Sequence, residues 1–387
     1  MPYYDRILTL VKAYATTLRP TQAVNLALLL SALLIARSLS LSALARTYPW
    51  PTQRRVPQPK HDFLHPLKRL WRFLNNPRVD PLAVQVAFVP YLVGKLGYPR
   101  WLALSIDWTM FDAPGGKYQV LSISVPRRGR GIPLVHLAYQ RGQLPADKSQ
   151  NQLEEAALWA VIRALPPGVN PVVLADRGFG RAEFFQHLQE HQVAYVVRVS
   201  KGVVLTFPKG QQVKLGPDLV GPGKQRLLPG VRYALWHGRP REVVVNVILS
   251  WKPPVRLRRH PQRVHQAREP WFLVSSVADI GWAVKWYRQR FWMEHTFKQS
   301  KGGHNGMAGF GLHKVAVKQA GRLGRLVMGL SLALMWLCLL ALPQVGALPR
   351  GFIRRVIERG DLSLFSLGLA YLDRFGTIPD QLLPSTS

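Results

Sequence analysis

The sequence contains one cysteine and few acidic residues. Cys338 stands alone among 387 residues, which excludes an intramolecular disulfide and a zinc site built from cysteines, and fits a reducing cytoplasm. Asp and Glu together number 20 against 52 Lys and Arg, so the formal net charge is +32. A surplus this large predicts a polyanionic partner. Nucleic acid is favoured over a membrane surface, because aromatic residues and prolines are spread along the chain rather than gathered in an amphipathic anchor.

No uninterrupted apolar run reaches the length of a membrane span. The longest, at 326–342, has 17 residues, and the run at 26–35 is shorter, whereas a transmembrane helix needs ~20. We therefore predict that 326–342 is a buried core helix, with a membrane span as the alternative. The N-terminus lacks the charged start and apolar centre of a secretory signal. These features predict a cytoplasmic protein without a membrane partner.

The first 75 residues have the pattern of helices rich in basic side chains. An apolar-periodic stretch at 23–36 precedes Ser40 and Ser42, either of which can begin a second helix, as in a helix-turn-helix-like module. We predict a helical DNA-end-binding region at 1–75; the alternative is an ordinary helical subdomain with a solvated basic rim. Its basic segment surrounds Trp71 and contains Arg54, Arg55, Lys60, Lys68, Arg69 and Arg72.

The pattern changes after a linking helix at 77–99. Segments 101–111, 117–126 and 131–140 are rich in β-branched and aromatic residues, with glycine-containing turns between them, which indicates a three-strand meander. Helix, strand, helix and strand patterns follow at 150–164, 171–176, 180–192 and 194–200. This order is that of the ribonuclease H-like fold, an α/β class with a mixed sheet flanked by helices. Its first part is predicted at 76–200.

The stretch at 201–270 departs from that order. It is rich in Gly and Pro and contains a basic loop with Arg258 and Arg259, so we predict a mostly β insertion subdomain there. The second part of the α/β domain is predicted at 271–345, beginning with a strand at 271–277. A C-terminal helical segment is predicted at 346–387.

One helix carries most of the polar side chains of interest. We expect it to begin at Asp279 as N-cap and to end at Gly302–Gly303. At ~100° per residue, four polar residues share one stripe and four apolar residues share the next. The alternative is a solvated helix face with incidental ion pairs. The polar stripe contains Tyr287, Arg290, Glu294 and Lys301, and the apolar stripe contains Trp282, Trp286, Met293 and Phe297.

Three acids fall where an α/β sheet would gather them. Asp107 lies within the first strand, Asp176 ends the strand at 171–176, and Glu294 lies on the late helix. A strand-end cap is the plain alternative for either aspartate alone. Together the three carboxylates would repel one another unless divalent cations lie between them. Mg²⁺ suits oxygen ligands of this kind, and a pair of ions ~4 Å apart is suited to phosphoryl transfer.

These residues also carry a family resemblance. Tyr287, Arg290, Glu294 and Lys301 give Y-(2)-R-(3)-E-(6)-K without a gap, and LADRGFG at 174–180 lies upstream. The chain thereby resembles the DDE transposases of bacterial insertion sequences, in the family-four group, and SIDWT at 105–109 is similar to their box around the first acid. The resemblance implies Asp107, Asp176 and Glu294 as catalytic metal ligands. It implies Tyr287, Arg290 and Lys301 as contacts to DNA phosphates.

The resemblance further implies DNA cleavage at terminal inverted repeats, followed by attack of the freed 3′-OH on target DNA. It implies two Mg²⁺ ions (with Mn²⁺ as a substitute), a hairpin intermediate, a homodimer on double-stranded DNA, and a nucleoid-associated protein of the bacterial cytoplasm. A structure-selective nuclease without strand transfer is the alternative, and a DNA-binding protein with an inactive cleft is a third interpretation. Candidates for stacking on an extruded base are Trp236, Trp251 and Trp271, and further side chains near the acids are Thr109, His295 and His304.

Overall fold

The computed structural model describes residues 3–47, 63–145, 148–234, 242–253, 255–257, 260–265, 269–302, 309–357 and 363–384. In this described part, ten strands form one mixed sheet, and helices flank it. The chain divides into two compact units. Unit 1 comprises 1–99, 107–169 and 292–387, and unit 2 comprises 100–106 and 170–291.

The helices of the described part are α1 Tyr4–Tyr14, α2 Pro20–Ala36, α3 Leu41–Thr47, α4 His65–Leu74, α5 Pro81–Val86, α6 Val89–Lys95, α7 Gln150–Arg163, α8 Ala182–Glu190, α9 Ile280–Arg290, α10 Trp292–Lys301, α11 Ala320–Gly346, α12 Arg350–Phe352 and α13 Leu364–Phe375. The strands are β1 Trp101–Ala113, β2 Gly116–Arg127, β3 Arg130–Gln140, β4 Asn170–Ala175, β5 Ala194–Arg198, β6 Val204–Thr206, β7 Gln212–Lys214, β8 Gln225–Ala234, β9 Glu242–Ser250, β10 Val255–Leu257, β11 His260–His265 and β12 Trp271–Ser275. The predicted meander, α7, β4, α8 and β5 are all confirmed.

Unit 2 is built on a sheet that begins with the first half of β1. Its strand order is β1-β4-β5-β12-β9-β8-β6-β7. Strands β1, β4 and β5 are parallel, with Ser105 opposite Leu174 and Leu174 opposite Val196. Strand β12 is antiparallel to both β5 and β9. The strands of the 201–270 stretch therefore extend the main sheet through β9, while β10 and β11 pair separately.

Helices cover both faces of this sheet, and strands β4 and β5 are therefore buried on both sides. Val172, Leu174 and Val196 share a hydrophobic cluster with Ala283 and Tyr287 of α9. Neighbouring residues of a strand point to opposite faces. On the other face, Phe185 of α8 stacks on Tyr195 with ring centroids 5.5 Å apart. Burial on both faces explains why β4 and β5 are nearly continuous runs of apolar residues.

Unit 1 contains β2, β3 and the second half of β1, in the order β3-β2-β1. The antiparallel pair β2–β3 runs from Tyr118 opposite Gln140 to Arg127 opposite Arg130. Helices α10 and α11 pack on β3. The hydroxyl of Thr296 on α10 accepts a hydrogen bond from the backbone N–H of Gly131 at 3.0 Å and donates to its carbonyl at 2.8 Å. A Cβ on Gly131 would lie 3.1 Å from the Cα of Met293. The absence of a side chain at Gly131 therefore lets α10 pack closely on β3.

Helix α11 is the predicted core helix, and it is longer than the apolar run suggested. Within the described residues it alone is long and apolar enough by itself to cross a membrane, with a mean hydropathy of 2.3 over its most apolar window. In the protein, 89% of that window is buried, in contact with β3, α13 and α2. Two further apolar helices, α2 and α3, meet at a bend of 100°. The predicted burial of 326–342, including Cys338, is thus confirmed.

The prediction of one continuous helix after Asp279 was wrong. Asp279 does cap a helix, accepting a hydrogen bond from the N–H of Trp282 at 2.8 Å, but that helix ends at Arg290 and α10 begins at Trp292. Phe291 anchors the first segment by stacking on Trp271, whereas Thr296 anchors the second to Gly131. Each segment thus has its own anchor, the first in unit 2 and the second in unit 1.

The four residues of the predicted polar stripe are divided between these two helices. Tyr287 and Arg290 lie on α9 in unit 2, and Glu294 and Lys301 lie on α10 in unit 1. Tyr287 is 1% exposed because its face of α9 is the one that packs on the sheet. Of the predicted apolar stripe, Met293 and Phe297 are buried, while Trp282 and Trp286 are only partly buried.

Candidate active site

The one candidate acid of the three that belongs to unit 2 lies just after the end of its strand. Asp176 follows β4 directly and caps a single 3-10 turn at Arg177–Phe179, with its Oδ1 accepting the N–H of Gly178 at 2.9 Å. Its Oδ2 lies 3.4 Å from the guanidinium of Arg290. The side chain of Asp176 is 39% exposed, whereas that of Arg290 is 7% exposed. A largely buried cation therefore faces one oxygen of a half-exposed carboxylate.

Aromatic rings surround the end of α9. Tyr287 meets Trp271 edge to face at 5.2 Å and Phe291 at 6.0 Å, and Trp271 stacks on Phe291 at 5.6 Å. The ammonium of Lys252 lies 5.1 Å above the Trp271 ring. Trp271, a predicted base-stacking candidate, thus packs within unit 2. The role of Trp251, which is half-buried, stays a prediction.

The residues after Asp176 are held by contacts that the sequence did not predict. Glu269 accepts hydrogen bonds from Arg177 at 2.9 Å and from Arg198 at 2.8 Å. The hydroxyl of Tyr233 donates to the carbonyl of Gly180 at 2.8 Å. Glu269 lies in a basic, proline-containing segment of the sequence. The rarity of acids in that segment is the only feature of the sequence that could have marked Glu269 as a partner of these arginines. Together these bonds fix the turn that presents Asp176.

The candidate acid Asp107 lies in the half of β1 that belongs to unit 1. It is half-buried, and its Oδ1 accepts the N–H of Trp108 at 2.9 Å. The indole N–H of Trp108 donates to Glu154 at 2.6 Å, and Gln150 donates to the same carboxylate oxygen at 3.0 Å. Glu154 is 1% exposed on α7. Glu154 lies on the same buried face of α7 as Ala157 and Val161. This residue was not predicted from the sequence, although an acid at the helical spacing of apolar residues is a signal that the sequence contains.

The third candidate acid, Glu294, is exposed in the first turn of α10. Two turns later, the ammonium of Lys301 donates to the carbonyl of Met110 on β1 at 2.8 Å, and partial burial lowers its pKa. Burial, followed by the charges of Arg130 and Lys298, lowers the pKa of His295. Lys301 and Glu294 therefore share unit 1 with Asp107.

The predicted metal site remains a prediction. Unit 1 contributes Asp107 and Glu294, and unit 2 contributes Asp176. Among the residues that the structure describes, no three His, Cys, Asp or Glu side chains form a group that could hold a metal ion. The donors themselves fit Mg²⁺, because carboxylate oxygens are the ligands that this hard cation prefers. Five predicted residues, and one of the further candidates near the acids, lie outside the described residues: Arg54, Arg55, Trp236, Arg258, Arg259 and His304.

Comparison with known proteins gives one family. Residues 102–314 match the family described as the transposase DDE domain. The match spans more than half of the chain and includes Asp107, Asp176, Glu294 and the signature lysine Lys301. No curated protein matches the chain.

Proposed function

The chain belongs to the family of transposase DDE domains, and from this premise we propose that it is a cut-and-paste DNA transposase of the family-four group. It cleaves DNA at the terminal inverted repeats of its own element and joins the freed 3′-OH to target DNA. The observation that carries the proposal is the family match, which contains all three acids in boxes of the expected letters. A ribonuclease H-like sheet with Asp107 within its first strand and Asp176 after β4 supports it.

In this proposal Asp107, Asp176 and Glu294 are the metal ligands. Transposases of this family generally use divalent cations, and two Mg²⁺ ions, or Mn²⁺ in their place, fit carboxylate ligands. When bound, such ions neutralise phosphate charge and favour in-line phosphoryl transfer. The protein itself holds the carboxylates. The Gly178 N–H orients Asp176, and the Trp108 N–H orients Asp107.

The cations of the signature neutralise DNA phosphates in this proposal. Arg290 is held beside Asp176 and largely buried, so it is positioned before DNA arrives. Lys301 is held by the Met110 carbonyl. Tyr287, the signature tyrosine of the same helix, packs against Trp271 and Phe291. Since phosphoryl transfer asks mainly for positioning and charge neutralisation, fixed cations and fixed carboxylates suit it.

Further features of the proposal concern DNA and assembly. The N-terminal helices at 1–75 bind the transposon end, with the basic loop containing Arg258 and Arg259 as a second contact. Transposition holds two ends together, so a homodimer acts on double-stranded DNA in the bacterial cytoplasm, associated with the nucleoid. A hairpin forms during excision, and one of Trp236, Trp251 or Trp271 stacks on the extruded base, a contact typically contributing about 1–3 kcal/mol.

The test uses the inverted repeats that flank the gene as labelled substrates. We expect Glu294→Gln to lower Mg²⁺-dependent cleavage by about 10³-fold or more, with end binding unchanged. Glu183→Gln on α8 is the matched control, because Glu183 is partly exposed and lies outside the candidate site. Full cleavage by Glu294→Gln refutes the proposed role of this glutamate.

The second candidate function is a structure-selective nuclease without strand transfer, which the same fold supports. Pre-cut ends separate the two functions. A transposase joins a labelled 3′-OH to target plasmid, whereas a nuclease cleaves branched DNA and joins nothing. Joining by the wild type that is lost in Asp107→Asn and Asp176→Asn would favour the transposase.

A further inference from the structure

A basic groove with an exposed tryptophan lies in unit 1, apart from the three acids. It has a volume of about 440 Å³ and is formed by the α2–α3 turn, α4, and the residues that lead into α11. We call it the Trp71 groove. Its lining contains no acidic residue among the residues described there. Its polar and aromatic lining consists of Ser40, Ser42, Trp71, Lys314, Lys318 and Arg322.

The walls of the groove are fixed by backbone hydrogen bonds. The N–H of Leu39 donates to the carbonyl of Phe310 at 2.9 Å, which ties the α2–α3 turn to the segment before α11. The N–H of Gly115 donates to Val315 at 3.1 Å, and the hydroxyl of Tyr118 donates to Val317 at 2.5 Å. The backbones that carry Lys314 and Lys318 are therefore held in place without a ligand. Binding to a preorganised site costs less ordering entropy.

Trp71 and Arg322 form a stacked pair at one wall. The guanidinium carbon of Arg322 lies 4.0 Å from the centre of the Trp71 ring, and its Nε donates to Asn75. These two contacts hold the guanidinium over the indole ring. Trp71 is nevertheless 47% exposed, so part of its ring stays accessible to a ligand in the groove.

The chemistry of the lining selects a phosphodiester backbone. Lys314 and Lys318 are exposed and Arg322 is partly so, which places three positive charges beside two serine hydroxyls. Cations and hydroxyls together are the usual partners of DNA phosphates. An exposed indole adds a surface on which a sugar or an unpaired base can stack. An anionic lipid would use the cations, but the groove lacks a set of exposed apolar residues for acyl chains.

We propose that the Trp71 groove binds the DNA backbone, with Lys314, Lys318 and Arg322 neutralising phosphates and Trp71 contacting a sugar or base. The proposal rests on the proposed function in that it takes DNA as the partner. Trp71 and the serines belong to the helices at 1–75 already proposed to bind DNA, and the proposal adds Lys314, Lys318 and Arg322, which lie outside those helices, the signature residues and the basic loop. Because these contacts go to phosphates, they are independent of base sequence.

The test measures binding of the full chain to a fluorescein-labelled 30-base-pair duplex of arbitrary sequence, over a range of salt. We expect the double variant Lys314→Ala/Lys318→Ala to bind about tenfold more weakly near 150 mM salt, with the slope of log K against log salt flattened by about 2. The matched control is Arg141→Ala/Arg163→Ala, which removes two exposed cations of unit 1 that lie outside both the groove and the helices at 1–75. Its slope and affinity should stay closer to those of the wild type.

Trp71 is tested separately. Trp71→Ala should weaken binding to a duplex with a single-stranded overhang about fivefold or more, while Trp71→Phe keeps most of the affinity. Equal slopes for the two double variants, or equal affinity of Trp71→Ala and wild type, overturn the proposal. If the wild type cuts and joins its ends while the groove variants bind normally, only this proposal fails. If the wild type binds the duplex through the groove but neither cuts nor joins, the proposed function fails instead.

Discussion

The carboxylate of Asp176 and the guanidinium of Arg290 lie 3.4 Å apart, although the two residues are 114 positions apart in the sequence. The aspartate directly follows β4, and α9 ends at the arginine. Both belong to unit 2, so the packing of α9 on the sheet creates the pair. One candidate acid and one signature residue are thus held together by the fold of one unit.

This pair should respond unequally to loss of its two members. Arg290→Met should lower the free energy of unfolding by about 2 kcal/mol, because a largely buried guanidinium that packs beside Phe291 is lost. Asp176→Asn should change it by less than about 1 kcal/mol, since its carboxylate is half-exposed and screened by water. Urea titration followed by tryptophan fluorescence measures both. Equal losses would contradict this assignment of burial.

The Trp108–Glu154 hydrogen bond should stabilise β1 next to Asp107. Trp108→Phe removes the indole N–H and leaves a buried carboxylate oxygen with one donor fewer. We expect a loss of about 1–3 kcal/mol in unfolding free energy. Trp101→Phe is the control, because Trp101 lies on the same strand and is 44% exposed. Thermal unfolding by circular dichroism compares the two, and similar midpoints would refute a structural role for this bond.

His136 should make stability depend on pH. Complete burial lowers the pKa of its imidazole to about 3, well below the usual value for histidine. The unfolded chain takes up this proton near pH 6.5 and the folded chain does not, so its contribution is fully present above pH 6.5 and declines as pH falls toward 3. We expect a loss of about 1.4 kcal/mol per pH unit in the upper part of that range.

The matching variant is His136→Leu, which cannot titrate. Measured by urea unfolding between pH 7 and pH 5, the wild type should lose stability faster than the variant. Parallel curves would show that the imidazole becomes protonated in the folded protein. Restricting the comparison to pH values above 5 keeps most carboxylates ionised.

Gly368 should not tolerate a side chain. A Cβ there would lie 2.0 Å from the carbonyl oxygen of Leu337, because α13 packs directly on the backbone of α11. Gly368→Ala should destabilise the protein by more than about 3 kcal/mol or prevent folding. Gly346→Ala, at the end of α11 with no atom within 4 Å of its Cβ, should be neutral or slightly stabilising. Soluble yield and thermal midpoint distinguish the two variants.

Much of the fold could be predicted from the sequence because periodic burial leaves a direct trace. The meander, β4, β5 and the buried helix α11 all follow runs whose apolar spacing matches their final environment. The break at Phe291 could not be predicted in this way. Residues on both sides favour a helix, and the contacts that hold each segment, Phe291 on Trp271 and Thr296 on Gly131, join residues that are distant in sequence.

The site was predictable to a similar extent. Asp107 and Asp176 lie on the predicted strand and at the predicted strand end, and Asp279 caps the predicted helix. The buried positions of Tyr287 and Arg290 were missed, because a helical wheel gives the angle of each side chain but not the side that meets the core. Glu269 was missed because its partners Arg177 and Arg198 are distant in sequence.

The contact between Thr296 and Gly131 has a consequence for self-association. Strand β3 is the outermost strand on its side, and an outermost strand offers unpaired amides and carbonyls to any passing chain. A single hydroxyl occupies both backbone groups of Gly131, and α10 lies over them. Helix α10, which carries Glu294, therefore also protects part of this sheet edge from pairing with a strand of another molecule. A substitution such as Thr296→Val would weaken the attachment of α10 to β3, and so would impair both the reaction and the solubility of the protein.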